Sequence, residues 1–123
     1  MQRITVLCVG KLKEKFYADA AAEYIKRLSR YCKLDVIELP ETRLPEDPSP
    51  AEIQKALAAE ANAIRQKLEA GAVVAMCIEG KQISSDELAQ FLAQRAGSGA
   101  GDVAFVIGSS HGLSDEVKRA AAL

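Results

Sequence analysis

Two short apolar runs in this chain each end in a glycine-bearing loop that leads into a helix. The first run covers residues 72–78 and precedes the loop 79–85, and the second covers residues 103–107 and precedes Gly108-Ser-Ser-His-Gly112. In parallel α/β sheets, ligands bind at the carboxyl ends of strands, where loops of this kind leave room for them. The pattern therefore predicts that these two loops form the working surface of the protein.

The rest of the chain continues the alternation of strand and helix. Apolar runs predict strands at 4–9 and 34–39, and apolar residues at three- and four-residue spacing predict helices over 15–31 and 51–68. Ser84 and Ser114 precede acidic residues in the manner of helix N-caps, and they predict two more helices. Prolines within 40–50 predict an extended loop. Together these patterns indicate an α/β fold with a mainly parallel sheet and helices on its faces.

The length and the ends of the chain suggest how it is organised. A chain of 123 residues is long enough for one core, so residues 1–123 are expected to form a single domain. The sequence stops a few residues into the last predicted helix without a cap or a stop signal, and we expect the domain to be C-terminally incomplete. No apolar stretch reaches the length of a signal or membrane segment, which favours a cytoplasmic protein without a membrane partner.

Charge is distributed unevenly along the chain. Residues 1–35 carry eight Lys/Arg against four Asp/Glu, whereas residues 36–123 carry eight against thirteen. Lys11 and Lys13 follow the first strand at the edge where the ligand loops are expected, so they are candidates for contacts with nucleic-acid phosphates. The alternative is that these lysines are simply solvated.

Titratable residues suggest little further chemistry by themselves. The three cysteines are odd in number and lack metal-ligand spacing, which predicts reduced thiols and no metal site. His111 is the only histidine, and it is either a proton-transfer group or a solvated loop residue. The loop that contains it matches neither common phosphate-binding motif, so it is either a ligand cradle or a tight turn that needs glycine for its geometry.

Several longer motifs, taken together and in order, are more specific. Val9-Gly-Lys-Leu-Lys-Glu-Lys-Phe16, Glu79-Gly-Lys-Gln-Ile-Ser-Ser85 and Phe105-Val-Ile-Gly-Ser-Ser-His-Gly-Leu113 resemble the RlmH family. Members of that family are SPOUT-class (α/β knot) methyltransferases, which use S-adenosylmethionine to methylate a pseudouridine at N3 in 23S ribosomal RNA of the large subunit. The resemblance runs in register over all 123 residues.

The resemblance implies a homodimer with a cofactor pocket between the two glycine-bearing loops. It implies that Met76 and Gly108 touch S-adenosylmethionine and that Cys77, Ser109 and Gly112 adjoin them. Without the resemblance, Met76 would be interpreted as a core residue. The family usually has a second glycine where Ser109 stands, and serine is small enough for that pocket to tolerate.

The resemblance also implies a further C-terminal segment, which we expect to be absent from residues 1–123. The family continues with a strand, a loop and a helix that tie the knot, and it ends in a tail linked to catalysis, so no catalytic residue is assigned here. The expected reaction is an in-line attack by a ring nitrogen on the sulfonium methyl carbon, which needs positioning at roughly 3–3.5 Å and loss of a proton but no metal. The alternative function is a non-catalytic α/β binding or assembly module that retains a partial cofactor pocket.

Overall fold

The strands form one parallel sheet, as the alternation of strand and helix predicts. The computed structural model describes residues 2–10, 12, 14–68, 72–97, 101–109 and 111–121. Its four-stranded sheet has the order β2-β1-β4-β3, and every neighbouring pair is parallel. The strand bounds are β1 Arg3–Val9, β2 Lys33–Leu39, β3 Ala72–Met76 and β4 Val103–Ile107.

Four helices alternate with these strands, and their starts follow from local capping chemistry. Their bounds are α1 Lys15–Leu28, α2 Pro50–Lys67, α3 Ser85–Gly97 and α4 Asp115–Ala120. At the start of α3, the Glu87 amide donates to Ser84 Oγ at 3.1 Å while the Ser84 amide donates to Glu87 Oε1 at 3.2 Å. Ser114 Oγ accepts from the Val117 amide at 3.3 Å. Both predicted helix starts are confirmed, because each serine oxygen satisfies an amide of the first helical turn.

The core lies between the sheet and α2. The largest fully buried side chains are Leu7 of β1, Val106 of β4 and Ile64 of α2. Leu113 and Val117, from the loop after β4 and from α4, join the same cluster. The second glycine-bearing loop is thus anchored to the core through the residue that follows it, and burial of these aliphatic side chains stabilises its position.

The first helix behaves differently from the second. Its predicted apolar stripe forms a helix, but it ends at Leu28 instead of Tyr31, and no residue within α1, which is described throughout, is buried. Its large exposed side chains include Phe16, Tyr17 and Tyr24. Periodicity therefore identified the helix correctly without showing what covers its apolar face.

The third strand is also shorter than the apolar run that predicted it. It ends at Met76, and Ile78 lies in a turn with a fully exposed side chain.

All three cysteines are free thiols, as predicted, with Cys32 buried and the other two partly buried. Burial raises the pKa of the Cys8 thiol, with a smaller contribution from the Glu38 carboxylate. In the described part of the chain, no helix combines the length and apolar character that crossing a membrane requires.

Candidate functional site

Strand register brings the two predicted loops together. Met76 and Ile107 are direct partners at the ends of β3 and β4, so Cys77 and Gly108 leave the sheet side by side. The structure therefore places Met76 and Cys77 beside the start of the segment 108–112, which contains the other three residues predicted for the cofactor pocket. This proximity follows from the shared carboxyl edge of parallel strands.

The loop after β4 is a tight turn that depends on both of its glycines. The Gly112 amide donates to the Ser109 carbonyl at 2.9 Å, and Gly112 has a φ of +88°, which side chains disfavour. A Cβ on Gly108 would lie 2.6 Å from the Gly112 carbonyl carbon and 2.9 Å from Leu113 Cγ. Turn geometry alone thus accounts for both glycines, while the backbone remains at the sheet edge where a ligand would meet it.

Three exposed aliphatic or thioether side chains surround the ends of β3 and β4. The exposed fractions are 53% for Met76 and 43% for Ile107, and Ile78 is fully exposed. The interpretation of Met76 as a core residue is therefore wrong, because Met76 stands where its strand leaves the packed part of the sheet. We call these three residues the apolar edge. Neighbouring exposed apolar side chains, such as those of the register partners Met76 and Ile107, are typical of ligand-binding surfaces.

Two contacts hold the turn after β3 in place. The Gly80 amide donates to the Cys77 carbonyl at 3.1 Å, and the Lys118 ammonium of α4 forms an ion pair with the Glu79 carboxylate. The hydrogen bond from Lys118 lowers the pKa of Glu79, and the same bond raises the pKa of Lys118. This ion pair connects α4, which follows the second loop, to the first loop.

A pocket lies between the loop that follows β2 and the loop that follows β4, across the carboxyl end of β1. It has a volume of about 360 Å³ and is lined by residues within 41–48 and by His111; we call it the loop pocket. The Thr42 amide, in its wall, donates to Glu60 Oε2 at 3.0 Å. Glu60 is a buried residue of α2, and its Oε1 has no hydrogen-bond partner among the described residues.

The loop pocket was missed from sequence, although two signals pointed to its parts. The prolines of 40–50 correctly predicted that residues 40–49 form neither helix nor strand, although Pro50 is already the first residue of α2. His111 was noted as the only histidine of the chain. Neither signal showed that the loop after β2 and the loop after β4 face each other across the end of β1. His111 is exposed there, and no group of three or more potential metal ligands occurs within the described ranges.

The predicted RNA contacts cannot be placed in this site. Lys11 and Lys13 lie outside the described residues. Gly10, which precedes them, donates its amide to the Leu39 carbonyl at 2.7 Å. The chain therefore leaves β1 at the same edge as the loop pocket, and the assignment of the two lysines stays a prediction.

Comparison with known proteins shows the family. A family model described as "Predicted SPOUT methyltransferase" matches residues 2–123. The chain is 45% identical over 122 residues to ribosomal RNA large subunit methyltransferase H of Streptococcus equi subsp. zooepidemicus (strain MGCS10565), across 98% of this chain and 77% of that protein. The chain belongs to the RlmH family of SPOUT methyltransferases.

Further relatives carry the same name. The protein of this name from Streptococcus equi subsp. equi (strain 4047) is also 45% identical over 122 residues, and the one from Streptococcus uberis (strain ATCC BAA-854 / 0140J) is 43% identical over 120 residues. The matches cover 97–98% of this chain and 76–77% of those relatives. Membership of the SPOUT family agrees with the observed parallel α/β sheet.

Proposed function

We propose that this chain methylates a pseudouridine at N3 in 23S ribosomal RNA of the large subunit, with S-adenosylmethionine as the methyl donor. Two facts support the proposal: its relatives are named ribosomal RNA large subunit methyltransferases, and the chain belongs to a methyltransferase family. We further propose that it works in the cytoplasm, on the ribosome or the large subunit, as a homodimer.

The observation that carries the cofactor assignment is the pairing of Met76 with Ile107. It joins the apolar edge to the turn 108–112, so that exposed apolar side chains and ligand-accessible backbone lie at one place. This combination fits a nucleoside cofactor, which needs an apolar surface for its base and polar backbone groups for its sugar and charged ends. S-adenosylmethionine, when bound, supplies a methyl group on a positively charged sulfur.

Each proposed cofactor residue has a distinct part in this assignment. Met76 packs against the cofactor and excludes water, while Gly108 and Gly112 keep the turn tight enough for its backbone to line the site. Cys77 and Ser109 are the neighbours that complete its walls. Rate enhancement would come mainly from holding the accepting nitrogen against the methyl donor, since correct positioning removes a large entropic barrier.

Binding to ribosomal RNA is assigned to Lys11 and Lys13. Replacing both with Glu should weaken ribosome binding and flatten its salt dependence, because each phosphate contact contributes about 0.7–0.9 to the slope of log K against log salt. Unchanged affinity and slope would contradict this assignment.

Methyl transfer tests the proposal most directly. The chain is incubated with methyl-tritiated S-adenosylmethionine and ribosomes from cells that lack the modification, and mass spectrometry of the digested RNA locates the methyl group. Labelled N3-methylpseudouridine is the expected product. Saturable S-adenosylhomocysteine binding without transfer would instead favour the non-catalytic module, and a methyl group at another atom would contradict the assigned substrate.

Calorimetry with S-adenosylhomocysteine tests the cofactor site separately. Met76→Asp should lower affinity by about tenfold or more, because it puts a charge in an apolar contact. Tyr31→Asp is the matched control. Tyr31 is 75% exposed and lies in the turn before β2, at the amino ends of the strands and away from the proposed cofactor site. Equal affinities for both variants would contradict the placement of the cofactor at Met76.

A further inference from the structure

The loop pocket lies next to the proposed cofactor site and shares one loop with it. Its walls follow β2 and β4, and the strand between them in the sheet is β1. His111 belongs to the same turn as Gly108, so one short loop borders both sites. A methyl-accepting substrate must lie beside the donor, which makes this pocket a well-placed neighbour for it.

The side chains of the pocket have the chemistry of a base-binding site. Arg43 and His111 offer planar groups, and unstacked RNA bases stack on histidine rings and arginine guanidinium planes. Glu46 offers a carboxylate, which accepts hydrogen bonds from base N–H groups. The volume of about 360 Å³ falls within the usual range for small-molecule sites.

The charge of the lining favours a base over a phosphate. Among the described lining residues, Glu41 and Glu46 contribute carboxylates and Arg43 contributes a guanidinium, so these three side chains together carry a net charge of −1. A negative pocket repels phosphate but accepts a neutral ring with hydrogen-bond donors. The backbone phosphates of an RNA would therefore lie outside this pocket.

The pocket wall is held in place before any ligand arrives. Glu60 accepts the Thr42 amide at 3.0 Å from a buried position in α2, and Pro45 and Pro48 restrict the backbone of the wall. A wall that is already ordered loses less conformational entropy on binding. Glu60 thus acts as a positioning residue for the segment 41–48.

We infer that the loop pocket is a subsite for an unstacked base of the substrate RNA, held by Arg43, Glu46 and His111. This inference rests on the proposed function, because it takes the occupant from the RNA that the methyltransferase would modify. It adds a base-recognition role for the loop after β2.

Nuclear magnetic resonance of His111 tests the inference without any methyl transfer. The chain has one histidine, so every imidazole signal from isotope-labelled histidine comes from His111, which lines this pocket. Titration with the nucleosides pseudouridine and uridine should shift these signals saturably, with a dissociation constant on the order of 1 mM. Ribose 5-phosphate, which has a sugar and a phosphate but no base, should leave them unchanged.

Variants of the lining sharpen the test. Glu46→Gln and Arg43→Ala should each weaken nucleoside binding by about fivefold or more, since each removes a charged contact group. Lys67→Ala is the control. Lys67 is exposed at the end of α2, near the amino ends of the strands, and its loss should leave nucleoside affinity unchanged. Absence of a shift with either nucleoside, or an equal shift with ribose 5-phosphate, would overturn the inference.

The outcomes separate this inference from the proposed function. Methyl transfer to ribosomes without any nucleoside-induced shift would contradict the base subsite alone. A nucleoside-induced shift that the lining variants weaken would support the subsite, whatever the methyl-transfer assay shows. In the active protein, Glu46→Gln should raise the KM for ribosomes while the affinity for S-adenosylhomocysteine stays unchanged, which a general folding defect would not produce.

Discussion

The two halves of the sheet's carboxyl edge differ in what they expose. At the ends of β3 and β4, the apolar edge of Met76, Ile78 and Ile107 borders a turn closed by its own glycines. At the ends of β1 and β2, the loop pocket presents carboxylates, a guanidinium and an imidazole. One edge thus offers two different ligand chemistries, and the turn that contains Gly108 and His111 joins them.

This difference suggests a division of labour within one small domain. The apolar half suits a cofactor that brings its own charge and reactivity, whereas the polar half suits a substrate base that must be recognised through hydrogen bonds. If the division is correct, substitutions in one half should change one ligand's affinity and spare the other's. Changes in the shared turn should affect both.

Gly108→Ala should have the largest effect, because it changes the shared turn. The new Cβ would lie 2.6 Å from the Gly112 carbonyl carbon, and we expect a loss of about 3 kcal/mol in the free energy of unfolding. Affinity should fall for both S-adenosylhomocysteine and nucleoside. Chemical denaturation and the two titrations measure these quantities.

Gly97→Ala is the matched control for this substitution. A Cβ on Gly97, the last residue of α3, would meet nothing within 4 Å, so its stability should stay within about 0.5 kcal/mol of the original chain. Similar losses for the two variants would mean that the Gly108–Gly112 approach does not determine the shape of the turn.

Glu60→Ala should have an intermediate effect, restricted to the polar half. It removes the acceptor of the Thr42 amide, and the lost hydrogen bond should cost about 1–2 kcal/mol in the free energy of unfolding. Nucleoside binding should weaken as the segment 41–48 loosens, while affinity for S-adenosylhomocysteine should not change.

Glu60→Gln keeps an oxygen that can accept the Thr42 amide, so it should restore most of the nucleoside affinity that Glu60→Ala loses. His111 imidazole shifts during nucleoside titration give the comparison. If Gln binds nucleoside as weakly as Ala, the anchoring hydrogen bond is not what holds the pocket wall.

The sequence predicted the elements of this fold better than their surroundings. The apolar stripe of α2 predicted a helix, and its residues Leu57, Ala61 and Ile64 are buried. The stripe of α1 predicted a helix equally well, yet its Phe16 and Tyr24 are more than 60% exposed. Helical periodicity records which side chains share a face, but only tertiary structure decides whether that face is covered.

The candidate site shows the same limit in a different form. Ligands bind at the carboxyl ends of parallel strands, and this rule correctly predicted that Met76 and Gly108 lie close together. The exposure of Met76 was not predictable, because an apolar run does not show where a strand leaves the sheet. The loop pocket depends on the strand order β2-β1-β4-β3, which fixes the contact between segments far apart in the chain.

The smallest expected effect concerns the ion pair that supports the apolar half. Lys118 lowers the pKa of Glu79 below its ordinary value of 4.5, and Glu79 raises the pKa of Lys118 above 10.5. The stabilising contribution of Glu79 is therefore present above pH 4.5 and is lost as the pH falls through its lowered pKa. The contribution of Lys118 is present below pH 10.5 and is lost as the pH rises through its raised pKa.

Carboxyl-carbon resonances followed through an acid titration measure this effect at Glu79. Lys118→Met should return the Glu79 pKa towards its ordinary value and should leave nucleoside binding in the loop pocket unchanged, because the pair belongs to the other half of the edge. About 1 M salt should shift the Glu79 pKa in the same direction by screening the pair. A Glu79 titration that is the same with and without Lys118 would mean that this ion pair does not hold the turn after β3. The backbone hydrogen bond from Gly80 to Cys77 and packing would then hold it instead.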